Sequence, residues 1–348
     1  MNWWFLFVVS VTITVSSTKC DKLSKEENEQ RKAECGKLIA AKIFGGRKTN
    51  REESPWTVYM KVTDAAKKVT ACTAVIVSPR HILTAAHCFA KWNAKKTGFD
   101  KVALSGESLD KCNGDDFVID DAAIAGRVMF YEGENITASS PVVAKARNIS
   151  LINACKQSER PVDITDLAVI ELEKNLTLGP TLNMACVSST FDEIAPFITL
   201  DFYGYGRKPA KGSNADSALP IMLYEESHVL RPQFEYRRPQ NASDNFFSNQ
   251  TFFARSSAEE FIACMGDYGG GATRKVLAQV TVVGILSQSS CEAGAQKDEL
   301  RKKMGLELFV AVAAYEGKIC EHSGICLKNG AHMVSLYLFV ALVVYFLS

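Results

Sequence analysis

Residues 264–271 read Cys264-Met265-Gly266-Asp267-Tyr268-Gly269-Gly270-Gly271, and this stretch, with five other short segments, decides the fold. Upstream lie, in order, Lys42-Ile43-Phe44-Gly45-Gly46, Thr84-Ala85-Ala86-His87-Cys88, Asp166-Leu167-Ala168-Val169-Ile170-Glu171-Leu172 and Tyr203-Gly204-Tyr205-Gly206. Downstream come Gly284-Ile285-Leu286-Ser287 and then Cys291. Around these segments the chain carries short apolar runs between turn residues: Thr73 to Val77, Leu167 to Leu172, Ile198 to Phe202 and Val280 to Leu286. Repeated short strands with few long helical periods predict an all-β barrel or sandwich. Asn113 to Asp163 carries two N-x-S/T sequons and reads as an elaborated surface loop region.

Taken together and in this order, the six segments resemble the chymotrypsin/trypsin-like serine peptidase family, over most of Ile43 to Cys320. The resemblance implies a double six-stranded β-barrel with a short C-terminal helix. In such enzymes a serine hydroxyl attacks the carbonyl, a histidine takes its proton, and an aspartate orients the histidine. His87 and Asp166 match the histidine and the aspartate, whereas Tyr268 stands at the nucleophile position. A phenol ionises near pH ~10, and its oxygen lies farther from the backbone than a serine hydroxyl. Near-attack geometry tolerates little misplacement, since about 1 Å can cost roughly a hundredfold. The ring also fills the space before the backbone N–H groups of Gly266 and Tyr268, which would form the oxyanion hole. The resemblance therefore implies a divergent, non-peptidase homologue. His81, His228, His322 and His332 lack a comparable context and read as ordinary surface or core residues.

The same resemblance extends to substrate binding, activation and disulfides. It places Ile262 at the base of the primary specificity pocket, with Ser287 and Ser289 on its wall, so any side chain that enters is expected to be apolar. Gln288 and Ser289 stand where the family has an aromatic residue and glycine. Lys42-Ile43 matches the zymogen cleavage site, and Asp267 the acid that pairs with the freed amino terminus. Cys72 and Cys88 match the bridge around the histidine loop, Cys264 and Cys291 the one beside the nucleophile, and Cys35 and Cys186 the one that retains the propeptide. Pairing of the others stays open: Cys112 with Cys155 and Cys320 with Cys326 is one arrangement, and it leaves Cys20 over. A polar segment with a Glu-Asn-Glu run before Cys35-Gly36 is similar, more loosely, to divergent trypsin-like proteins of nematodes.

Composition narrows the setting. The formal net charge is +1 and 23% of residues are charged, which gives no basic surplus for nucleic acid. Protein partners, a protease or an inhibitor among them, are expected instead, with no metal and no cofactor. Trp3 to Val15 is an apolar run of signal-peptide length that ends in Ser16 and Ser17, so residues 1–17 read as a signal peptide. Sequons at Asn135, Asn148, Asn175, Asn241 and Asn249, with eleven cysteines, point to the secretory pathway and an oxidising compartment. Residues 18–42 are polar and propeptide-like, and Ser24 and Glu27 have capping-box spacing for a short helix. The peptidase-like domain is expected over 43–320, a short stalk over 321–332 and a hydrophobic tail over 333–348. Met333 to Leu347 carries no charge. It is short for a bilayer core of about 30 Å, which favours a glycolipid-anchor signal over a single-pass helix. Release by phosphatidylinositol-specific phospholipase C separates the two. The function expected is that of a secreted or cell-surface protease homologue that acts by protein binding. An active serine-type endopeptidase with apolar specificity and a structural surface glycoprotein are the alternatives.

Overall fold

The apolar runs become strands because they are short, rich in β-branched residues and bounded by turns. The computed structural model describes residues 22–37, 51–95, 97–109, 112, 114–157, 165–206, 222–230, 250–257, 263–289 and 306–327. Helix α1 (Lys25–Glu34) comes first, followed by β1 (Thr57–Thr63), β2 (Val69–Ile76), β3 (His81–Thr84), β4 (Ala90–Trp92) and β5 (Phe99–Val102). Next are β6 (Phe117–Ile119), α2 (Ala122–Ala125), β7 (Val128–Tyr131), β8 (Val142–Leu151) and β9 (Ala168–Leu172). The second half holds β10 (Cys186–Val187), β11 (Thr199–Gly204), β12 (Leu223–Val229), β13 (Thr251–Ser256), β14 (Gly271–Val276), β15 (Gln279–Ser289), β16 (Leu306–Ala311) and α3 (Glu316–Ser323).

These strands close into the two expected barrels. The first runs β8-β7-β1-β2-β3-β9 and is shut by the antiparallel β8–β9 pair, with β6 on the outside of β8. The second runs β15-β14-β11-β12-β13-β16 and is shut by β15–β16, with β10 parallel to β15. Closure leaves no barrel edge unpaired, which removes the hazard of open strands. Strands β3, β9 and β16 are buried at every residue, including the polar His81, Thr84, Glu171 and Glu307 that punctuate their apolar sequence.

The region expected to be an elaborated surface loop is corrected by β7 and β8, which are barrel staves. Lys145, Arg147 and Asn148 dilute the apolar signal of β8, yet Ile149 and Leu151 are fully buried and pair with β9. Residues 321–327, expected to begin a stalk, are packed: Ser323 and Ile325 are buried, and Cys320–Cys326 closes the turn. Helix α1 has the capping box that its sequence announces, with Ser24 N–H donating to Glu27 Oε2 at 2.7 Å and Glu27 N–H to Ser24 Oγ at 3.2 Å. Its sequence carries little apolar surface, and polar contacts hold it instead. Asn28 donates to the Cys326 carbonyl at 2.7 Å, Leu23 N–H to the Ser323 carbonyl at 2.8 Å, and Gln279 to the Lys32 and Cys35 carbonyls.

Cys35–Cys186 and Cys72–Cys88 are formed as the resemblance implies, and Cys112–Cys155 and Cys320–Cys326 also pair. Closing a loop of this order stabilises by about 3 kcal/mol in the chain-entropy model, as for the Cys72–Cys88 bridge of separation 16. Cys264 is disulfide-bonded. Cys291, the partner implied for it, lies outside the described residues, as do Cys20, Lys42, Ile43, Ile262, Asn241, Asn249 and the tail. Among the described residues no helix is long and apolar enough to cross a membrane.

Candidate functional site

The site forms between the barrels, where β3 runs into the single turn Ala86–Cys88 and presents His87. Asp166 precedes β9, which pairs with β3, so the sheet itself brings the two side chains together. His87 Nδ1 lies 2.7 Å from Asp166 Oδ2, and the His87 backbone N–H donates to Asp166 Oδ1 at 2.8 Å. Asp166 is 1% exposed, and its Oδ2 accepts a further bond from the Ser287 hydroxyl at 2.6 Å. A register shift between Leu286 and Gln288 leaves Ser287 out of the β15–β16 ladder. Such a bulge re-aims a side chain, and here the hydroxyl turns to the carboxylate. This pair orients an imidazole as a catalytic dyad does.

What faces the other side of the histidine is an aromatic ring. Tyr268 packs edge-on against His87, with ring centroids 5.0 Å apart and planes at 73°. Trp92 on β4 also packs against His87, as a stacked ring at 5.9 Å, and itself stacks on Phe99 of β5 at 4.4 Å. His87 therefore packs against two aromatic rings, and Tyr268 belongs to the buried core. Sequence reasoning found His87, Asp166 and Tyr268 but missed Trp92, which reaches the site through the short β4–β5 hairpin.

The loop that carries Tyr268 is held in place from the first barrel. Thr73 N–H donates to the Tyr268 carbonyl at 2.9 Å, and the Thr73 hydroxyl donates to the Gly266 carbonyl at 2.7 Å. The same hydroxyl accepts from Tyr205 N–H at 3.0 Å, and the Thr73 carbonyl accepts from Thr84 Oγ1 at 2.8 Å. Gly269 has φ +83°, and a Cβ there would meet Thr84 Oγ1 at 2.0 Å and the Thr73 carbonyl at 2.5 Å. Only glycine fits that close approach.

Beneath the loop, Asp267 is buried over the Tyr203–Gly206 turn. Its Oδ2 accepts from Cys264 N–H at 2.8 Å and its Oδ1 from Gly206 N–H. Burial pushes this carboxyl up to about 6 against the pull of those two N–H groups. No cation pairs with it among the described residues.

Two further acids, absent from the sequence expectations, lie on the same side. Glu307 on β16 is directly opposite Ser289 on β15, so both side chains share one face of the sheet. Glu307 is 0% exposed and accepts from Ser227 Oγ and Ala263 N–H, each at 3.1 Å. Ser289 Oγ donates to the carbonyl of that same Ala263. Glu225 on β12 approaches Glu307; burial raises both carboxyls, the Glu307 charge pushes Glu225 farther up, and the Asp267 charge does the same to Glu307. Glu307 and Glu225 are thus buried acids behind Ser289 that the sequence expectations did not include.

Of the three sequons that are described, Asn135 and Asn175 are exposed. Asn148 is 7% exposed on β8, so the expectation of a glycan there does not fit the folded chain. Asp116, Glu321 and His322 cluster with metal-like spacing, but the Lys318 ammonium already sits 2.7 Å from Asp116 Oδ2. It does there what a cation would do, so the cluster has no need of a metal.

Comparison with known proteins agrees with this geometry. The model of the nematode trypsin-6-like family matches residues 5–326. A trypsin-like protease of Caenorhabditis elegans, try-5, is 23% identical over 310 residues, covering 82% of this chain and 88% of that protein. Serine protease ea of Drosophila melanogaster is 26% identical over 267 residues, covering 73% of this chain. The CLIP domain-containing serine protease B9 of Anopheles gambiae is 24% identical over 243 residues. The chain spans 62% and 55% of the length of these two insect proteins. On its fold, its residual dyad and the extent of the match, the chain belongs to the nematode trypsin-6-like family of trypsin-like serine peptidase homologues.

Proposed function

We propose that this protein is a protease homologue that does not cleave peptides, and that it acts in the secretory pathway or outside the cell by binding another protein. The observation that carries the reading is the Tyr268 ring against His87. The aspartate–histidine pair is intact, so the base is present, while the position of the attacking hydroxyl holds an aromatic ring in the core. Loss of the nucleophile in a serine protease costs on the order of a millionfold in turnover. The intact disulfides support an oxidising compartment. The two barrels give a rigid platform, and in such folds loops on a rigid scaffold carry recognition.

The reading is tested by incubating the purified protein, cut after Lys42, with a denatured protein mixture and sequencing the new termini by mass spectrometry. No new termini are expected above those in a control lacking the protein. Cleavage that a His87→Ala variant abolishes would overturn the proposal.

A further inference from the structure

The seam between α1 and the start of β3 buries three polar atoms that have no partner. Glu27 and Arg31 lie four residues apart, on one face of α1. Glu27 pairs with Arg80 Nη2 at 3.1 Å, which sets that face against the entry to β3. One turn farther along, Arg31 is 2% exposed. Its Nε donates to Asn28 Oδ1 at 3.0 Å, and its Nη1 is buried with no acceptor. Glu29, the nearest acid to influence it, is engaged with Lys32 at 2.9 Å. Arg80 Nε is likewise buried and unpartnered, and so is His81 Nε2 in a side chain that is 0% exposed.

The tautomer of His81 follows from its neighbours. Ser78 Oγ accepts from His81 N–H at 2.8 Å and from Arg80 N–H at 3.1 Å. Its own hydrogen is then left for His81 Nδ1, 2.9 Å away. Nδ1 is the acceptor, so the ring proton is on Nε2. All three orphan atoms are therefore N–H donors, two of them on guanidinium groups. Burial and the two guanidiniums keep His81 itself neutral, with its pKa down at about 3.

Buried donors are satisfied in folded proteins, and a buried guanidinium without a counter-charge is costly. A water molecule facing only donors has nowhere to place its own hydrogens, whereas an anion needs only donors. We propose that the seam holds a small monovalent anion of chloride size, bound by Arg31, Arg80 and His81. The anion fastens the N-terminal helix to the first barrel, so the segment before Lys42 stays docked by more than the Cys35–Cys186 bridge.

Crystals of the full chain grown in bromide test this. An anomalous peak in contact with Arg31 Nη1 and His81 Nε2 is expected. Peaks confined to the exposed surface (an adventitious ion only), density there that refines as water, or density continuous with a carboxylate of the chain would each overturn the proposal. Thermal melts give a second readout at matched ionic strength. Chloride should raise the Tm of the wild type over gluconate by roughly 2–4 °C, and Arg31→Met should abolish the difference. Equal Tm values for the wild type in the two salts would also contradict the site.

Discussion

Tyr268 stands edge-on to His87, with 5.0 Å between ring centroids. An edge-to-face pair of this kind is worth about 0.5–1.5 kcal/mol beyond its buried area. Here it joins the loop of the second barrel to the histidine of the first. In this protein the residue at the nucleophile position is a piece of core, 8% exposed, rather than a reagent waiting for substrate.

Tyr268→Ser should therefore destabilise the protein by about 2–4 kcal/mol, the cost of emptying a buried aromatic site. Denaturant melts of the two proteins measure it. A variant as stable as the wild type would show that the ring is not part of the packed core.

The buried acids set a pH dependence. Glu307 and Glu225 have their folded pKa raised, so their contribution to stability is complete below the ordinary carboxylate range and falls as pH rises through neutrality. Glu307→Gln removes one of these charges and keeps an oxygen for Ala263 N–H. The variant should match the wild type near pH 5 and exceed it at pH 8, by on the order of 1–3 kcal/mol. Thermal melts at the two pH values check the sign, and a variant less stable at pH 8 than at pH 5, relative to the wild type, would refute it.

Asp267 carries the activation argument. Its raised pKa, about 6, means that stability present in acid is lost as pH rises through that value, unless a cation arrives. Cleavage after Lys42 would supply the Ile43 ammonium. Protein from its native source should begin at Ile43 in one chain, with residues 22–37 retained through Cys35–Cys186. The cut form should gain up to about 3 kcal/mol over the uncut form above pH 6, and less at pH 5. A single amino terminus upstream of residue 43 would defeat this account of switching.

Much of this was legible in the sequence where chemistry is local. His87, Asp166 and Tyr268 sit in short segments whose neighbours identify them. Trp92 does not, because only the β4–β5 hairpin turns it over the imidazole. Glu307 interrupts an otherwise apolar strand, and its meeting with Ser227 across a separation of 80 residues has no trace in either stretch alone. Strand β8 was hidden by Lys145, Arg147 and Asn148, which meet solvent or β9 and not the core. Arg31 looked like one more charge on a polar helix; only docking reveals that it is buried.

The central claim is that the dyad has no nucleophile to act on. The most direct measurement is reaction of the purified protein, cut after Lys42 and confirmed to begin at Ile43, with a fluorophosphonate probe for activated serines. The account predicts no adduct by intact mass while a control protease is labelled in full. Stoichiometric labelling at any serine of this chain would contradict it.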